Sequence, residues 1–408
     1  MISLKGLLSI LSLPVRLLWV TIKYPFVGGA NAKFKNSLVN SLKIELCRFA
    51  LTLPVHDTAA IANRTTQGVI DKLKPLYPTR TNLNNYGKKF DKQSIWLVEV
   101  KGRSHTDPIV IYLHGGGYFI NTSPSQITSV LSMYHLLDEE KRKRTSILVL
   151  DYSLACHGHY IGTQLYELAA TYNKLVSEGN DNFVLMGDSA GGNLAITFLQ
   201  YLKQEKNPKL PWPRSEVLIS PWVKLAGDKH QFTPGHSYHD NEKHDMLSSN
   251  FAKDPKRQAH LLGGKSPADL LISPGNVPYK TSDWNDIPTL NSKGYSTFVI
   301  LGEHEVFRDD ILEWSKYALG SPLVPQSQES KGKFDSKAHE YKSGGINDAY
   351  IDVVVEPWGI HDSVLFFENR VMEKLEKQHH LKLNDLDDEE LFGIVKITKF
   401  LNKTLVVK

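Results

Sequence analysis

The sequence predicts an α/β fold with a mostly parallel central sheet covered by helices on both faces. Three observations carry that expectation. From Ser94 onward, short β-rich runs alternate with helix-length segments, the rhythm of strand-helix-strand units. The runs are apolar almost throughout, as strands buried on both faces must be. Two of them end directly in glycine-rich turns, where a strand hands over to the next element.

The first segment stands apart from that rhythm. Leu4 to Ile22 reads LKGLLSILSLPVRLLWVTI, rich in leucine but interrupted by Pro14 and Arg16. A bilayer span of about 20 residues would carry Arg16 near its centre at about 2.5–3.5 kcal/mol, a cost that so many leucines offset. Residues 1–30 therefore read as a hydrophobic membrane anchor that spans the bilayer or lies in its interface. A secretory signal and a soluble helix packed on the body are the competing readings.

Residues 31–90 are expected to form an N-terminal helical cap. Leu38, Leu42, Leu46, Phe49 and Leu53 share one helix face before Pro54 stops it, and Ile61, Val69, Ile70 and Leu73 mark a second helix before Pro75. Residues 91–408 hold the sheet, with strands expected at Ile95–Val100, Ile109–Leu113, Ile147–Leu150, Phe183–Met186, Val217–Ile219, Phe298–Leu301 and Asp352–Val355. Two stretches interrupt it. Residues 226–280 are polar and contain four histidines, an insertion over the sheet's carboxyl edge, and residues 321–348 read as a mobile loop. No internal repeat is present.

Composition narrows the function classes. The chain has 408 residues, 41% hydrophobic and 23% charged, the balance of a folded globular protein. Lys and Arg number 48 against 44 Asp and Glu, a net +4, too thin an excess for a nucleic-acid footprint. Two cysteines, Cys47 and Cys156, make neither a disulfide framework nor a cysteine-ligated zinc site. One bridge between them stays open, although apolar flanks suit free thiols.

Chemistry concentrates in four short segments. Gly187-Asp188-Ser189-Ala190-Gly191-Gly192 lies between an expected strand and an apolar helix. This G-x-S-x-G pattern uses small residues to turn so sharply that the Ser189 hydroxyl stands exposed above the sheet. His114-Gly115-Gly116-Gly117-Tyr118-Phe119 follows Ile109–Leu113. Its glycines can aim backbone N–H groups at a developing oxyanion, with Gly115, Gly116 and Ala190 as the expected donors. An acid and then a histidine should follow in later loops. Gly302-Glu303-His304-Glu305-Val306-Phe307-Arg308-Asp309-Asp310 offers Glu305 first, with Glu303 and Asp309 as alternatives, and Gly359-Ile360-His361-Asp362 supplies the base.

Other clusters read as ordinary. His230, His236, His239 and His244 lack the spacing of a metal site, so no metal is expected. Lys141-Arg142-Lys143-Arg144 reads as a solvated helix end. The sequons at Asn63, Asn121 and Asn402 are usable only if the body lies in the secretory lumen.

Taken together, HGGGYF, GDSAGG, the acid loop ending Phe-Arg-Asp-Asp and the late Gly-Ile-His-Asp resemble the hormone-sensitive-lipase branch of the α/β-hydrolase superfamily. Within it the chain is similar to fungal steryl acetyl hydrolases, which pair a hydrophobic anchor with this body; the resemblance runs over residues 90–375. It implies an α/β-hydrolase fold and a cofactor-free serine esterase of the endoplasmic reticulum membrane. The charges flanking the anchor do not fix its orientation, and a lumenal body is the placement that would make the sequons usable. The activity implied is removal of acetyl groups from sterols through Ser189, Glu305 and His361. Two positions depart from the pattern. Glu305 stands where the wider branch usually carries Asp, and Tyr160-Ile161-Gly162 where relatives carry proline. A broader carboxylesterase or acylglycerol lipase would use the same machinery, and a non-catalytic small-molecule binding protein would keep the fold alone.

Overall fold

The computed structural model describes residues 2–61, 64–326 and 330–407. Its centre is an eight-stranded sheet in the order β1-β3-β2-β4-β5-β6-β8-β7. The strands are β1 Ser94–Val98, β2 Ile109–Leu113, β3 Ser146–Leu150, β4 Phe183–Asp188, β5 Ser215–Ile219, β6 Ser296–Gly302, β7 Glu340–Ser343 and β8 Tyr350–Glu356. The inner strands are parallel, and the two edge strands β1 and β7 run antiparallel to their neighbours. All seven expected strands are present, although β1 stops short of Val100.

Alternation along each buried strand feeds two cores. Ile109, Ile111 and Leu113 of β2 meet Leu165, Leu168, Leu194 and Phe198 from helices Thr163–Ser177 and Ala190–Glu205. Val110 and Tyr112 face the other way, toward Ile127, Leu131, Ile394 and Phe400. Both faces are covered, so the strands carry no polar face for sequence periodicity to report.

Two expectations need correction. The stretch 321–348 is no uniform loop, for it contains a helical turn at Ser336–His339 and then β7. β7 is a half-exposed edge strand on which Lys342 pairs with Glu340 at 2.7 Å and lies 3.7 Å from Asp352. Charges of this kind guard a sheet edge against further pairing, and they erase the apolar signature of a strand. The second N-terminal helix is in fact two. The expected cap region contains α1's successor α2, Leu38–Thr52, then α3, Val55–Ile61, and α4, Thr66–Leu76, where α1 is Leu4–Val27. Thr65 starts α4 by accepting the Gly68 N–H at 3.1 Å, and Pro75 falls inside its last turn. Val69, Ile70 and Leu73 of α4 pack in the core with Ile95 and Leu97, whereas α2 lies over the carboxyl edge of the sheet.

Among the described residues, α1 is the one helix long and apolar enough to cross a membrane. Its Leu7, Leu8, Leu11, Val15, Leu18, Trp19 and Ile22 are exposed. It is also fastened to the body. The Ser3 N–H and hydroxyl both donate to the Asp57 carboxylate at 2.6 Å, and Arg16 pairs with Glu45 of α2 at 3.5 Å. Just beyond α1, Lys33 bonds Glu356 at the end of β8 and lies 3.9 Å from Glu368.

Residues 226–280 pack against the N-terminal helices beside the sheet's carboxyl edge. They hold α2 in place through Arg257, a buried cation that donates to the carbonyls of Leu51 and Leu53 at 2.9 and 2.8 Å. The same guanidinium lies over the rings of Phe119 and Phe251. Replacing Arg257 by Ala leaves two carbonyls unpaired and empties the space between two rings. We expect Arg257→Ala to cost about 2–4 kcal/mol of stability, read as a lowered midpoint in denaturant unfolding.

Candidate active site

Parallel strands bring their carboxyl ends to one edge, so residues far apart in the chain meet there. Register makes this concrete: Leu113 pairs with Gly187, Ile219 with Ile300, and Gly302 with Glu356. The loops after β2, β4, β5, β6 and β8 all open into the same hollow.

Ser189 sits between β4 and helix Ala190–Glu205 with φ 50° and ψ −113°, a conformation that side chains other than glycine avoid. Its neighbours explain how the turn closes. A Cβ on Gly191 would fall 1.8 Å from the Leu113 carbonyl oxygen, and one on Gly187 would fall 2.3 Å from that of Gly191. The turn is tied to the next strand, since the Ser189 N–H donates to Ile219 O at 2.9 Å and Trp222 N–H to Ser189 O at 2.9 Å.

The expected residues converge. His361 Nε2 lies 2.9 Å from Ser189 Oγ, and its Nδ1 lies 2.7 Å from Glu305 Oε1. All three are buried. Glu305 Oε2 accepts from Ser220 Oγ and from the Gly302 N–H, each at 2.9 Å, which fixes the carboxylate toward the imidazole. Of the alternatives, Glu303 is taken by Ser330 and the Trp358 N–H, and Asp309 by the Ser237 N–H and Arg308. Neither touches His361.

One expected oxyanion donor changes. Gly115 packs against Asp188, where a Cβ would fall 2.3 Å from Asp188 Oδ2. Gly116 and Gly117 line the cavity beside Ser189 instead, with φ of 113° and 61°. Asp188 organises this loop, accepting from Tyr112 OH at 2.6 Å and from Gln126 Nε2 at 2.7 Å. Burial pushes Asp188 up to about 8, the charge of Asp362 adding to the effect. His114 stacks on Tyr152 at 4.1 Å, and burial draws it down to about 4, so it is a neutral prop under the glycine loop.

Two residues beside the site carry no sequence motif of their own. Asp245, from the insertion, accepts the N–H of His361 at 3.0 Å and the N–H of Val306 at 2.7 Å. It thereby clamps the histidine loop to the acid loop. Burial pushes Asp245 up to about 6, with His361 opposing and Glu305 reinforcing that rise. Ser220, at φ 44°, bonds both Glu305 and the Asp362 N–H. No sequence signal marks either one: Asp245 recognises backbone N–H groups, and Ser220 reaches Glu305 through a contact 85 residues apart in the chain.

The remaining sequence candidates separate. Asn121 lines the cavity, and its Oδ1 accepts from Thr66 Oγ1 at 2.8 Å and the Thr122 N–H at 2.7 Å, so a glycan there would occupy the cavity itself. Asn63 lies outside the described residues. Asn402 Oδ1 accepts from the Asp138 N–H at 2.9 Å. Cys47 and Cys156 are both free. No group of His, Cys, Asp and Glu able to hold a metal occurs among the described residues; His230 meets His236, while His244 stacks on His304. Arg144 pairs with Asp107 and Lys141 bonds Leu405 O, as a helix end would.

A strained serine turn, an imidazole bridging that serine to a buried carboxylate and a glycine-lined hollow above a mostly parallel sheet define a serine carboxylic-ester hydrolase of the α/β-hydrolase fold. The chain belongs to the steryl acetyl hydrolase family, whose model matches residues 59–321. It is 31% identical over 332 residues to the Schizosaccharomyces pombe protein mug81, provisionally named a steryl acetyl hydrolase, covering 77% of this chain and 84% of that one. It is 28% identical over 222 residues to steryl acetyl hydrolase 1 of Saccharomyces cerevisiae, covering 51% and 47%. Among solved structures, a hormone-sensitive lipase from a metagenome library matches with a TM-score of 0.55 at 16% identity, covering 89% of this chain and 97% of that one. A bacterial esterase of the hormone-sensitive-lipase family matches with a TM-score of 0.51 at 21% identity, covering 89% and 98%. These two likenesses bear on the fold.

Asp245 generates a prediction. In Asp245→Ala the buried N–H groups of His361 and Val306 lose their acceptor and the two loops separate slightly. We expect kcat to fall about 100-fold with KM little changed, as steady-state kinetics on a short-chain ester would read.

Proposed function

We propose that this chain removes acetyl groups from sterol esters, with Ser189 as nucleophile, His361 as general base and Glu305 as the acid that orients it. The observation that carries the reading is the pair of contacts at His361, 2.9 Å to Ser189 Oγ and 2.7 Å to Glu305 Oε1. Ser189 Oγ attacks the acetyl carbonyl carbon while Nε2 takes its proton. The N–H groups of Gly116, Gly117 and Ala190 receive the developing oxyanion. His361 returns the proton to the departing sterol oxygen, then draws one from the water that releases acetate.

The cavity supports a short acyl group. It measures ≈ 140 Å³ and is walled by Cys47, Ala50, Ile120, Met246 and Phe366, well under the roughly 300–1,000 Å³ that encloses a drug-sized ligand. An acetyl group fits inside and a bulky alcohol must extend out. A groove of ≈ 520 Å³ shares Leu51 and Phe251 with the cavity and reaches Lys5 on α1, which gives the sterol a route from a bilayer.

Membrane attachment belongs to the same reading. Anchored to Asp57 at Ser3 and to Glu45 at Arg16, α1 lies along the body, with its exposed leucines facing lipid in the interface plane. Residues 1–30 thus serve as the anchor, and α2 with α3 as the cap over residues 91–408. We place the protein on the endoplasmic reticulum membrane with its body in the lumen, where Asn402 would be an available sequon.

The test assays microsomes carrying the intact chain or Ser189→Ala against acetylated sterols, long-chain acylglycerols and simple aryl acetates. Sterol acetate turnover should fall by at least roughly 10⁴-fold in the variant, and long-chain glycerides should be poor substrates. Equal turnover by both forms would end the reading. A preference for long-chain glycerides would make the chain a lipase.

A further inference from the structure

The hydrolytic cycle described above uses one carboxylate at His361, yet the imidazole touches two. Asp362 Oδ2 lies 3.2 Å from Nε2, the same nitrogen that Ser189 Oγ approaches at 2.9 Å. The placement is enforced. Asp362 has φ 51° and ψ 26°, and its N–H donates to Ser220 Oγ at 3.1 Å, so backbone geometry holds the carboxyl against the ring. Its other oxygen, Oδ1, is buried without a partner. A carboxylate so placed is stabilised most when the adjacent Nε2 is protonated and positive.

We propose that Asp362 is a positioning residue that competes with Ser189 for His361 Nε2, keeping that nitrogen protonated at rest and setting the pH above which hydrolysis proceeds. While Nε2 carries a proton beside the Asp362 carboxylate, 3.2 Å away, the nitrogen has no lone pair to accept from the serine hydroxyl. As pH rises that proton leaves to solvent, Nε2 becomes an acceptor, and the Ser189 hydroxyl bonds it. When Ser189 later gives up its proton, the new N–H faces the Asp362 carboxylate, which together with Glu305 stabilises the imidazolium.

The surroundings favour holding the proton. Glu305 and Asp245 face His361 from the loops after β6 and from the insertion. Asp188, Tyr112 and Cys47 face Asp362 from β4, β2 and α2. None of these groups is a cation, so a protonated imidazole is the positive charge that the adjacent Asp362 and Glu305 carboxyls can meet. Burial alone would draw His361 down, but Asp362 and Glu305 outweigh it and hold the group well above its ordinary value; burial likewise raises Asp362.

The inference rests on the proposed roles of Ser189 and His361, and the test separates the two. The kcat/KM of the full chain toward a short aryl acetate is measured from about pH 5 to about pH 10 for wild type, Ser189→Ala, Asp362→Asn and Asp362→Gly. Asn and Gly both tolerate the left-handed backbone at this position. The acid limb should move down by about one pH unit or more in both Asp362 variants, with Ser189→Ala inactive throughout. An inactive Ser189→Ala with unmoved limbs overturns the inference, and an active Ser189→Ala overturns the roles beneath it. Should either variant fail to fold, the wild type still decides. Inactivation by an imidazole-acylating reagent should show a midpoint well above about 6.5, the ordinary histidine value, and a midpoint at that value overturns the inference.

Discussion

The turn from β4 into helix Ala190–Glu205 leaves no space for side chains, and the rest of the site is arranged around that restriction. Gly191 lies against the Leu113 carbonyl and Gly192 against Pro221, so the helix presses on both neighbouring strand ends. That contact fixes the height of Ser189 above the sheet relative to the glycine loop after β2 and the Ser220 loop after β5. Strain collects where the restriction is greatest. Tyr118, Ser189, Ser220 and Asp362 all adopt positive φ, each in a loop at the sheet's carboxyl edge. Four such residues persist only because the surrounding packing over-determines them. The hollow is therefore preformed, with its donors aimed before any ester arrives.

A second consequence is electrostatic. Asp188, Asp245, Glu305 and Asp362 are all buried in the loops that form the site, a density of carboxyl groups that a low-dielectric interior does not tolerate in ionised form unless the oxygens find donors. Three of the four find them in backbone or neutral side chains. Asp188 takes Tyr112 and Gln126, Asp245 takes three backbone N–H groups, and Glu305 takes Ser220 and Gly302. Asp362 differs, because His361 is the donor its carboxyl meets and one oxygen is left over. The same carboxylate density would make the site costly to keep open to water, and the apolar roof of Leu51, Met246 and Phe251 limits that exposure.

What was legible in the sequence follows from where each signal is written. Strands buried on both faces announce themselves as apolar runs, and the serine and glycine motifs announce themselves because close approach leaves no alternative to small residues. The carboxylate beside His361 was legible only as a short list, since any carboxylate in the loop after β6 is a candidate until geometry shows which one faces the imidazole. Gly115 and Gly117 were indistinguishable for a different reason. Which glycines of the triplet line the hollow depends on how the loop packs against Asp188, a tertiary contact. Asp245 was invisible because it recognises backbone N–H groups, which every loop supplies. β7 was hidden by the charges that protect it.

The N-terminal segment belongs to the scaffold of the site. Lys33, five residues beyond the Gly28 that ends α1, bonds Glu356, and Glu356 in turn accepts from Ser363, two residues after His361. Asn31 reaches the carbonyl of His244 at 3.4 Å, adjacent to Asp245, and the ring of His304, adjacent to Glu305. One short connection thus touches the supports of the base, the acid and the clamp between them. Glu368, raised to about 8 by burial with Glu356 adding to the rise, is opposed there by Lys33, so that lysine supplies the positive charge next to two buried acids. These contacts tie the end of α1 to the histidine loop, so the segment that carries the long apolar helix also fixes the position of the loop that holds His361.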